Sequence, residues 1–401
     1  MKTIGLIILR SLRQHLLSTT ITALSIALAG GLLMSVWVVK VQSQTTFTQV
    51  NTGFDAVLGA RGSKLQLVLN AIFHLEASPG NLAYSDYEFI KRHPAVKLAV
   101  PIAVGDNLRG YRIVGTGPEL FSDVEYVPGK KFTFATGTLF NPAAKEAVLG
   151  DFVARKLGLH SGDTFHPFHG LIYDENNQHA ETYLVTGILA PSNTPADKVI
   201  WIPLHGLQTM TGHDPRAATD VSAVLIQLRS PTAGFMLDML YNKQGNRLTF
   251  AYPIGAIMAE LFNKIGWFDQ VLTLISSLVA LVSAGGVLVA IYNSMAARRR
   301  DIAILRALGA RRRTIFSAIV LEAAAIGLLG MIAAFAAYAV ILTGVATVIR
   351  NQTGVLLNTW AYNPVMLWAP LGMIALCALG GLLPAWKAYR TDIADNLAPV
   401  S

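Results

Sequence analysis

Four apolar runs, each long enough to cross a lipid bilayer, constrain this 401-residue chain more than any other feature: Leu16–Val39, Phe268–Tyr292, Thr314–Ile349 and Pro364–Trp386. A helix rises about 1.5 Å per residue, so some twenty residues cross a hydrocarbon core roughly 30 Å thick. Backbone surrounded by lipid must satisfy its own hydrogen bonds, which makes each run a helix. Composition agrees: charged residues are only 14% and hydrophobic ones 53%, against about 25% charged in soluble proteins. In the first run, Ala27-Leu28-Ala29 mimics a leader-cleavage site, but the apolar stretch continues beyond it and exceeds the roughly 7–15 residues of a leader core, so a retained span is expected. Gly30-Gly31 in the first run and Ser276, Ser277 and Gly285-Gly286 in the second offer small faces for close helix packing. The third run is longer than a bilayer needs and should tilt or extend beyond it. Pro370 and Gly380-Gly381 interrupt the fourth.

Charge orients these spans. The net charge is +8, which in a soluble protein would raise nucleic acid as a partner. Here the basic residues flank apolar runs, so topology accounts for them and no nucleic-acid partner is expected. Lys2, Arg10 and Arg13 precede the first run within a basic amphipathic lead-in. The short loop between the second and third runs, residues 293–313, carries seven arginines (Arg298, Arg299, Arg300, Arg306, Arg311, Arg312, Arg313) against one acid, Asp301. Basic residues concentrate in short cytoplasmic loops, so this loop and both termini are expected in the cytoplasm. Asp301–Leu308 reads as a short helix: Ile302, Ile304, Leu305 and Leu308 supply its apolar residues, while Arg299 and Arg306 lie opposite the Ile304/Leu305/Leu308 face. Gly309 supplies the stop. Such a helix suits docking of a soluble partner; the plainer reading is charge anchoring with lipid headgroup contact.

The residues of this loop, Arg299-Arg300-Asp301-Ile-Ala-Ile304-Leu305-Arg306-Ala-Leu308-Gly309-Ala310, closely resemble the signature of FtsX-type permeases. The match continues through Ile315, Leu321-Glu322-Ala323 and Ile326-Gly327-Leu328-Leu329-Gly330. That family includes MacB, the LolC and LolE pair, and FtsX. The end of the fourth run, Pro384-Ala-Trp-Lys-Ala-Tyr-Arg390 with Asp392 and Leu397 behind it, resembles the family's closing motif. The resemblance implies that the 293–313 loop couples to an ATP-binding subunit.

Between the first two runs, residues 43–266 have an ordinary soluble composition. Helices are expected at Thr46–Leu58, at Lys64–Leu75, and at Ser85–Arg92, where Ser85 would cap with Glu88 three residues on. Phe152–Leu157 and Pro231–Lys243 also read as helices. Strands are expected at Lys97–Val104, Tyr111–Gly115, Ala147–Gly150, Tyr183–Leu189, Val199–Pro203 and Val221–Leu228. The alternation makes a mixed α+β domain. Tyr111–Phe121, Glu146–Gly150, Ala154–Gly158 with Gly162-Asp163, Tyr183–Leu189, and Asp197 with Ile200–Pro203 resemble landmarks of the same permeases. Its length suits MacB and LolC better than FtsX. The expected organisation is therefore residues 1–42 as lead-in and first span, 43–266 as a periplasmic α+β domain, and 267–401 as spans two to four with the coupling loop and tail. Neither an internal repeat nor a low-complexity tract is visible.

Chemistry is sparse. The sequence contains no Gly-x-x-x-x-Gly-Lys-Ser/Thr loop, no Gly-x-Ser-x-Gly elbow and no His-Glu-x-x-His helix, so ATP hydrolysis would fall to a separate subunit holding ATP and magnesium. Cys377 is the one cysteine and lies within a span, which excludes a disulfide framework within the chain. Glu322 sits about two turns into the third span. A carboxylate there is costly, and it reads as the partner of a nearby arginine, with a proton or substrate site as the alternative. His160, His166, His169 and His179 gather with Asp174, Glu175 and Glu181, a donor set that could hold zinc. The spacing His166-Pro-Phe-His169 is not a helical pair, so an exposed polar loop is the plainer reading. Phe73, His74 and Leu75, within Asn70–Leu82, read as domain core, with a surface that touches cargo or an adaptor as the alternative.

The family resemblance implies a non-catalytic permease subunit in the bacterial inner membrane, paired with a second permease chain of the same or related kind. Its ATPase would drive movements of the periplasmic domain, a mechanotransmission that exports or extracts cargo with or without a periplasmic adaptor or substrate-binding protein. An FtsX-like signalling subunit that activates a periplasmic hydrolase, and a lipoprotein-release permease, are the alternatives.

Overall fold

In a computed structural model of the chain, residues 2–48, 53–213, 218–297, 304, 309–354, 357–358 and 361–390 are described. Contacts divide them into two units, one of residues 1–42, 265–347 and 358–401, the other of residues 43–264 and 348–357.

The first unit is helical. Lys2–Gln14 forms the amphipathic lead-in, and among the described residues four helices are long and apolar enough to cross a membrane: Leu16–Thr48, Ile254–Ala297, Arg312–Thr353, and Val365–Gly380 with Leu382–Arg390. Hydrophobic area cannot drive helices together in lipid, so their seams depend on close packing of small residues. Gly31 packs directly on the backbone of the third span: a Cβ there would lie 2.7 Å from Ala337 Cβ and 3.1 Å from Ala334 O and Tyr338 N. Gly30 meets the side chain of Met331, Gly330 that of Ile26, and Gly327 that of Cys377. Around these contacts Ile26, Met34, Ile319, Ala323, Met331, Ala334 and Cys377 form the buried centre. Of the small residues expected to pack on the second span, Ser276 is buried, whereas a Cβ at Gly285 or Gly286 would meet nothing among the described residues.

The second unit is an α+β domain inserted between the first two spans. Its main sheet has eleven strands among the described residues, nine of them in a continuous path. The order is Leu248–Ala251, Ala56–Ala60, Ala223–Leu228, Val96–Leu108, Tyr111–Thr116, Ile200–Pro203, Glu146–Leu149, Tyr183–Leu189 and Phe134–Gly137. Two short strands lie off this path, Phe168–His169 against Val96–Leu108 and Thr164–Phe165 against Tyr183–Leu189. Two pairs are parallel, Ile200–Pro203 with Tyr111–Thr116 and Tyr183–Leu189 with Glu146–Leu149. Parallel neighbours need crossovers, and the short helix Asp151–Leu157 lies between Glu146–Leu149 and Tyr183–Leu189 in the chain.

Three clusters of buried side chains fill the domain. In one, Phe121 packs edge-on against Phe140 and Trp201 at 5.9 and 6.0 Å between ring centres, the arrangement aromatic quadrupoles favour. Another holds Tyr87 and Ile90 of the helix Tyr84–Lys91 against Leu58, Ile226 and Phe250. Each such buried side chain contributes roughly 1.5–3 kcal/mol.

Three local expectations are corrected. Thr46–Leu58 is not one helix: the first span is described as far as Thr48, and Ala56–Ala60 is a strand, paired on both sides with Ala223–Leu228 and Leu248–Ala251. Long-range pairing outweighs local helical pattern there. Ser85 does not cap its helix, which starts at Tyr84 after Ala83 and has no side-chain cap; Glu88 instead pairs with Arg92 at 2.9 Å. The helix expected over Pro231–Lys243 holds its α form only to Met239 and closes in a wider turn, Leu240–Gln244.

Candidate functional site

Of the loop residues expected to dock an ATPase, Ile304 and Gly309 are described; Arg299, Arg300, Asp301, Ile302, Leu305, Arg306 and Leu308 lie outside the described residues. Ile304 is helical and 41% exposed. Gly309 has φ +98°, the left-handed conformation that stops a helix. Just beyond it, the Arg312 guanidinium lies 5.7 Å over the Tyr389 ring, and Lys387 lies 4.7 Å over that of Tyr292. Such cation–π contacts hold the basic ends of the spans together. Glu322 is buried, and the Ser11 hydroxyl of the lead-in donates a hydrogen bond to its Oε1. This partner comes from the first helix, 311 residues away in the chain. Arg298–Arg300 and Arg306 are outside the described residues.

The inserted domain builds a second constellation. Asp106 lies where the strand Val96–Leu108 slips register against Tyr111–Thr116, between Val104 and Asp106. The short strand Phe168–His169 pairs antiparallel with it and sets His169 opposite Asp106. The turn that follows bends the chain back so that Gln178 bridges to Phe168, and His179 N donates to Pro167 O at 2.9 Å. His213 comes from the turn after the helix Leu204–Gln208, its amide donating to Met210 O at 3.2 Å.

The four side chains converge on one carboxylate oxygen. Asp106 Oδ1 lies 3.1 Å from His213 Nε2, 3.2 Å from His179 Nε2 and 3.4 Å from His169 Nδ1. Asp106 is fully buried and the His179 side chain 4% exposed, whereas that of His169 is 54% exposed. Backbone carbonyls hold two of the rings from behind: Leu207 O lies 3.0 Å from His213 Nδ1, and Thr211 O lies 2.7 Å from His179 Nδ1. Thr211 is itself held by Glu181, whose Oε1 accepts from Thr211 N at 2.9 Å and Thr211 Oγ1 at 2.5 Å. Burial pushes the Glu181 pKa up, but the Thr211 hydrogen bonds and Lys145 together bring it below the usual value. The hydrogen bond to Asp106 raises the pKa of His213 against the opposing effect of burial, as expected wherever a site favours positive charge.

Of the four histidines singled out in the sequence, the fold brings His169 and His179 together and leaves His160 and His166 elsewhere. His160 is exposed and faces Asp163 at 3.6 Å. His166 Nδ1 is 3.1 Å from Glu181 O. Asp174 caps its own turn by accepting from Asn176 N at 3.0 Å. Asp106 and His213 escape sequence reasoning because they lie 107 residues apart; only the sheet joins them, and no local spacing carries the signal.

The Asn70–Leu82 segment divides between core and surface. Phe73 is buried and Leu75 is 42% exposed. His74, at φ +54°, sets its ring edge-on to Trp201 at 5.7 Å. Its Nδ1 is buried without a hydrogen-bond partner. Burial first, and the Arg112 charge second, hold its pKa down at about 3 from an ordinary 6.5. The unfolded chain therefore binds a proton that the folded chain refuses. The contribution to stability is complete above the ordinary value and falls on acidification by about 1.4 kcal/mol per pH unit down to the folded value. His74→Asn, which tolerates the same backbone conformation, is expected to flatten the loss of thermal stability between pH 6.5 and 5. Unfolding of the detergent-purified chain across that range measures it.

The fold is that of a four-helix membrane protein with a mixed-sheet domain inserted after its first span. Comparison with protein families matches residues 17–234 to the MacB-like periplasmic core domain and residues 273–393 to the FtsX-like permease C-terminal region. The first of these alone covers more than half of the chain, which belongs to the MacB-like, FtsX-type permease family. Among solved structures, the extracellular domain of the noncanonic ABC-type transporter YknZ from Gram-positive bacteria is similar. It is 17% identical, with TM-score 0.32, over 49% of this chain and 99% of that one. The periplasmic region of MacB from Actinobacillus actinomycetemcomitans is 12% identical with TM-score 0.34, over 53% of this chain and 93% of that one. A comparison with curated protein sequences returns no match.

Proposed function

We propose that this chain is the membrane subunit of an ABC transporter that turns ATP hydrolysis on a separate ATPase into movement of its inserted domain, driving export or extraction of cargo from the periplasmic side. The observation that carries this reading is the pairing of a MacB-like core domain and an FtsX-like C-terminal region in residues that contain no phosphate-binding loop. The ATPase docks on residues 293–313 in the cytoplasm, and a second permease chain completes the assembly. Energy crosses the membrane as force on helices, so the spans need stiffness and close seams rather than a polar tunnel. The packing of Gly31 on Ala334 and Ala337 is a seam of that kind. The size of the matched core domain, residues 17–234, favours transport over the FtsX-like signalling alternative.

Sidedness tests this reading directly. In a Cys377→Ser background, Ala310→Cys is expected to resist a membrane-impermeant maleimide in intact spheroplasts, while Asn176→Cys in the inserted domain reacts. Labelling of position 310 from outside would overturn the arrangement.

A further inference from the structure

Around Asp106, three imidazoles and one buried carboxylate meet in a geometry that hydrogen bonding alone explains poorly. The two carbonyls behind His179 and His213 can only accept, so the Nδ1 atoms they face carry the protons. In neutral rings this leaves both Nε2 lone pairs directed at the Asp106 carboxylate, which is also an acceptor. Acceptors facing one another repel unless a cation lies between them. Protons on the facing nitrogens as well would make both His179 and His213 imidazolium against a single carboxylate. The second Asp106 oxygen, Oδ2, is buried and has no hydrogen-bond partner. A buried carboxylate oxygen left without a partner is costly.

We propose that Asp106, His169, His179 and His213 form a four-ligand site for a zinc-class divalent transition-metal ion. Their four ligand atoms all lie within 4.8 Å of one another. In a tetrahedral zinc site with bonds of roughly 2.0–2.1 Å, neighbouring ligand atoms stand about 3.3 Å apart. The spacings from Asp106 Oδ1 to the three ring nitrogens are 3.1, 3.2 and 3.4 Å. Three imidazoles with one carboxylate suit zinc or cobalt, whereas calcium and magnesium prefer oxygen alone. Carbonyls behind the rings, one of them anchored through Thr211 to Glu181, fix the ring orientation as is usual around bound metal. The exposed His169 gives the ion its way in. Four protein ligands fill a tetrahedral shell, which makes the site a clasp rather than a catalytic centre. It would fasten two outer segments, 168–179 and 204–213, to the strand Val96–Leu108.

The test uses the full-length chain, purified in detergent with a histidine-free tag, stripped with EDTA and dialysed against zinc. The wild type is expected to retain one zinc per chain by elemental analysis and, loaded with cobalt instead, to show the intense visible bands of tetrahedral coordination. His169→Ala, chosen because that ring is exposed and its loss should leave the fold intact, and the near-isosteric Asp106→Asn are each expected to weaken zinc binding on the order of 100-fold. His160→Ala and His166→Ala are expected to bind as wild type does. Zinc should also raise the unfolding temperature of the wild type and leave that of His169→Ala unchanged. Retention of less than a tenth of an equivalent by the wild type, or equal retention by His169→Ala and Asp106→Asn, would show a hydrogen-bonded cluster without metal and overturn the proposal.

Discussion

Replacing Arg299 and Arg306 together by glutamate is expected to abolish association with the ATPase subunit while leaving the chain in the membrane. Both residues lie on the polar side of the expected Asp301–Leu308 helix, beside the arginine-rich turn that opens the third span. Charge pairs that become desolvated at an interface lose about 2–5 kcal/mol or more when one partner is removed, and reversal adds repulsion. Two such changes correspond to a loss of more than about 100-fold in affinity. Five arginines remain in the loop, so the charge bias that orients the spans persists and insertion should be normal. Co-purification measures the first effect and membrane fractionation the second. The lysine pair, Arg299→Lys with Arg306→Lys, should retain much of the binding, which separates charge from shape. A glutamate double variant that still captures its ATPase at the wild-type level would remove this loop from the docking interface.

Gly31→Leu is expected to have the largest effect inside the bilayer. A Cβ at this position already falls 2.7 Å from Ala337 Cβ, and two of its nearest neighbours are backbone atoms of the third span, which cannot rotate away. Overpacking usually costs about 1–3 kcal/mol, and more when backbone must move. For a chain of this size that corresponds to a fall of about 1–4 °C in the unfolding temperature. Gly344→Leu, in the same third span but with nothing near its Cβ, is the control and should leave the temperature unchanged. Equal effects at the two positions would mean that helix propensity, rather than the seam, governs the response.

How far such features can be read from sequence depends on the distance over which they are decided. Apolar length placed all four spans, because the bilayer imposes that signal residue by residue. It stopped short at the ends: the second helix begins at Ile254 rather than Phe268, since Ile254, Ile257 and Met258 are buried in the inserted domain, where amphipathic pattern replaces uniform apolarity. Tyr183–Leu189 alternates cleanly and matches its expected bounds, being buried at every other position. Ala56–Ala60 has no such alternation and depends on two partners far along the chain. The histidine cluster was half legible for the same reason. His169 and His179 are close in sequence, but Asp106 reaches them through sheet pairing and His213 through the turn after Leu204–Gln208. The positive φ of Gly309 was legible because glycine's freedom there is a local property; residues 305–308, which it was expected to end, lie outside the described residues.

The link between the third and fourth spans belongs, by its contacts, to the inserted domain: residues 348–357 group with it. There the Arg350 guanidinium lies 5.6 Å over the Phe152 ring, and Lys198 Nζ donates to Gln352 O. The domain is therefore assembled from two stretches of chain separated by more than eighty residues. Excising residues 43–264 for study in solution would leave Phe152 and Lys198 bare, and such a fragment would be missing a small but integral piece of itself. Grafting the ten-residue link back onto its C-terminus through a flexible tether would restore the missing cover.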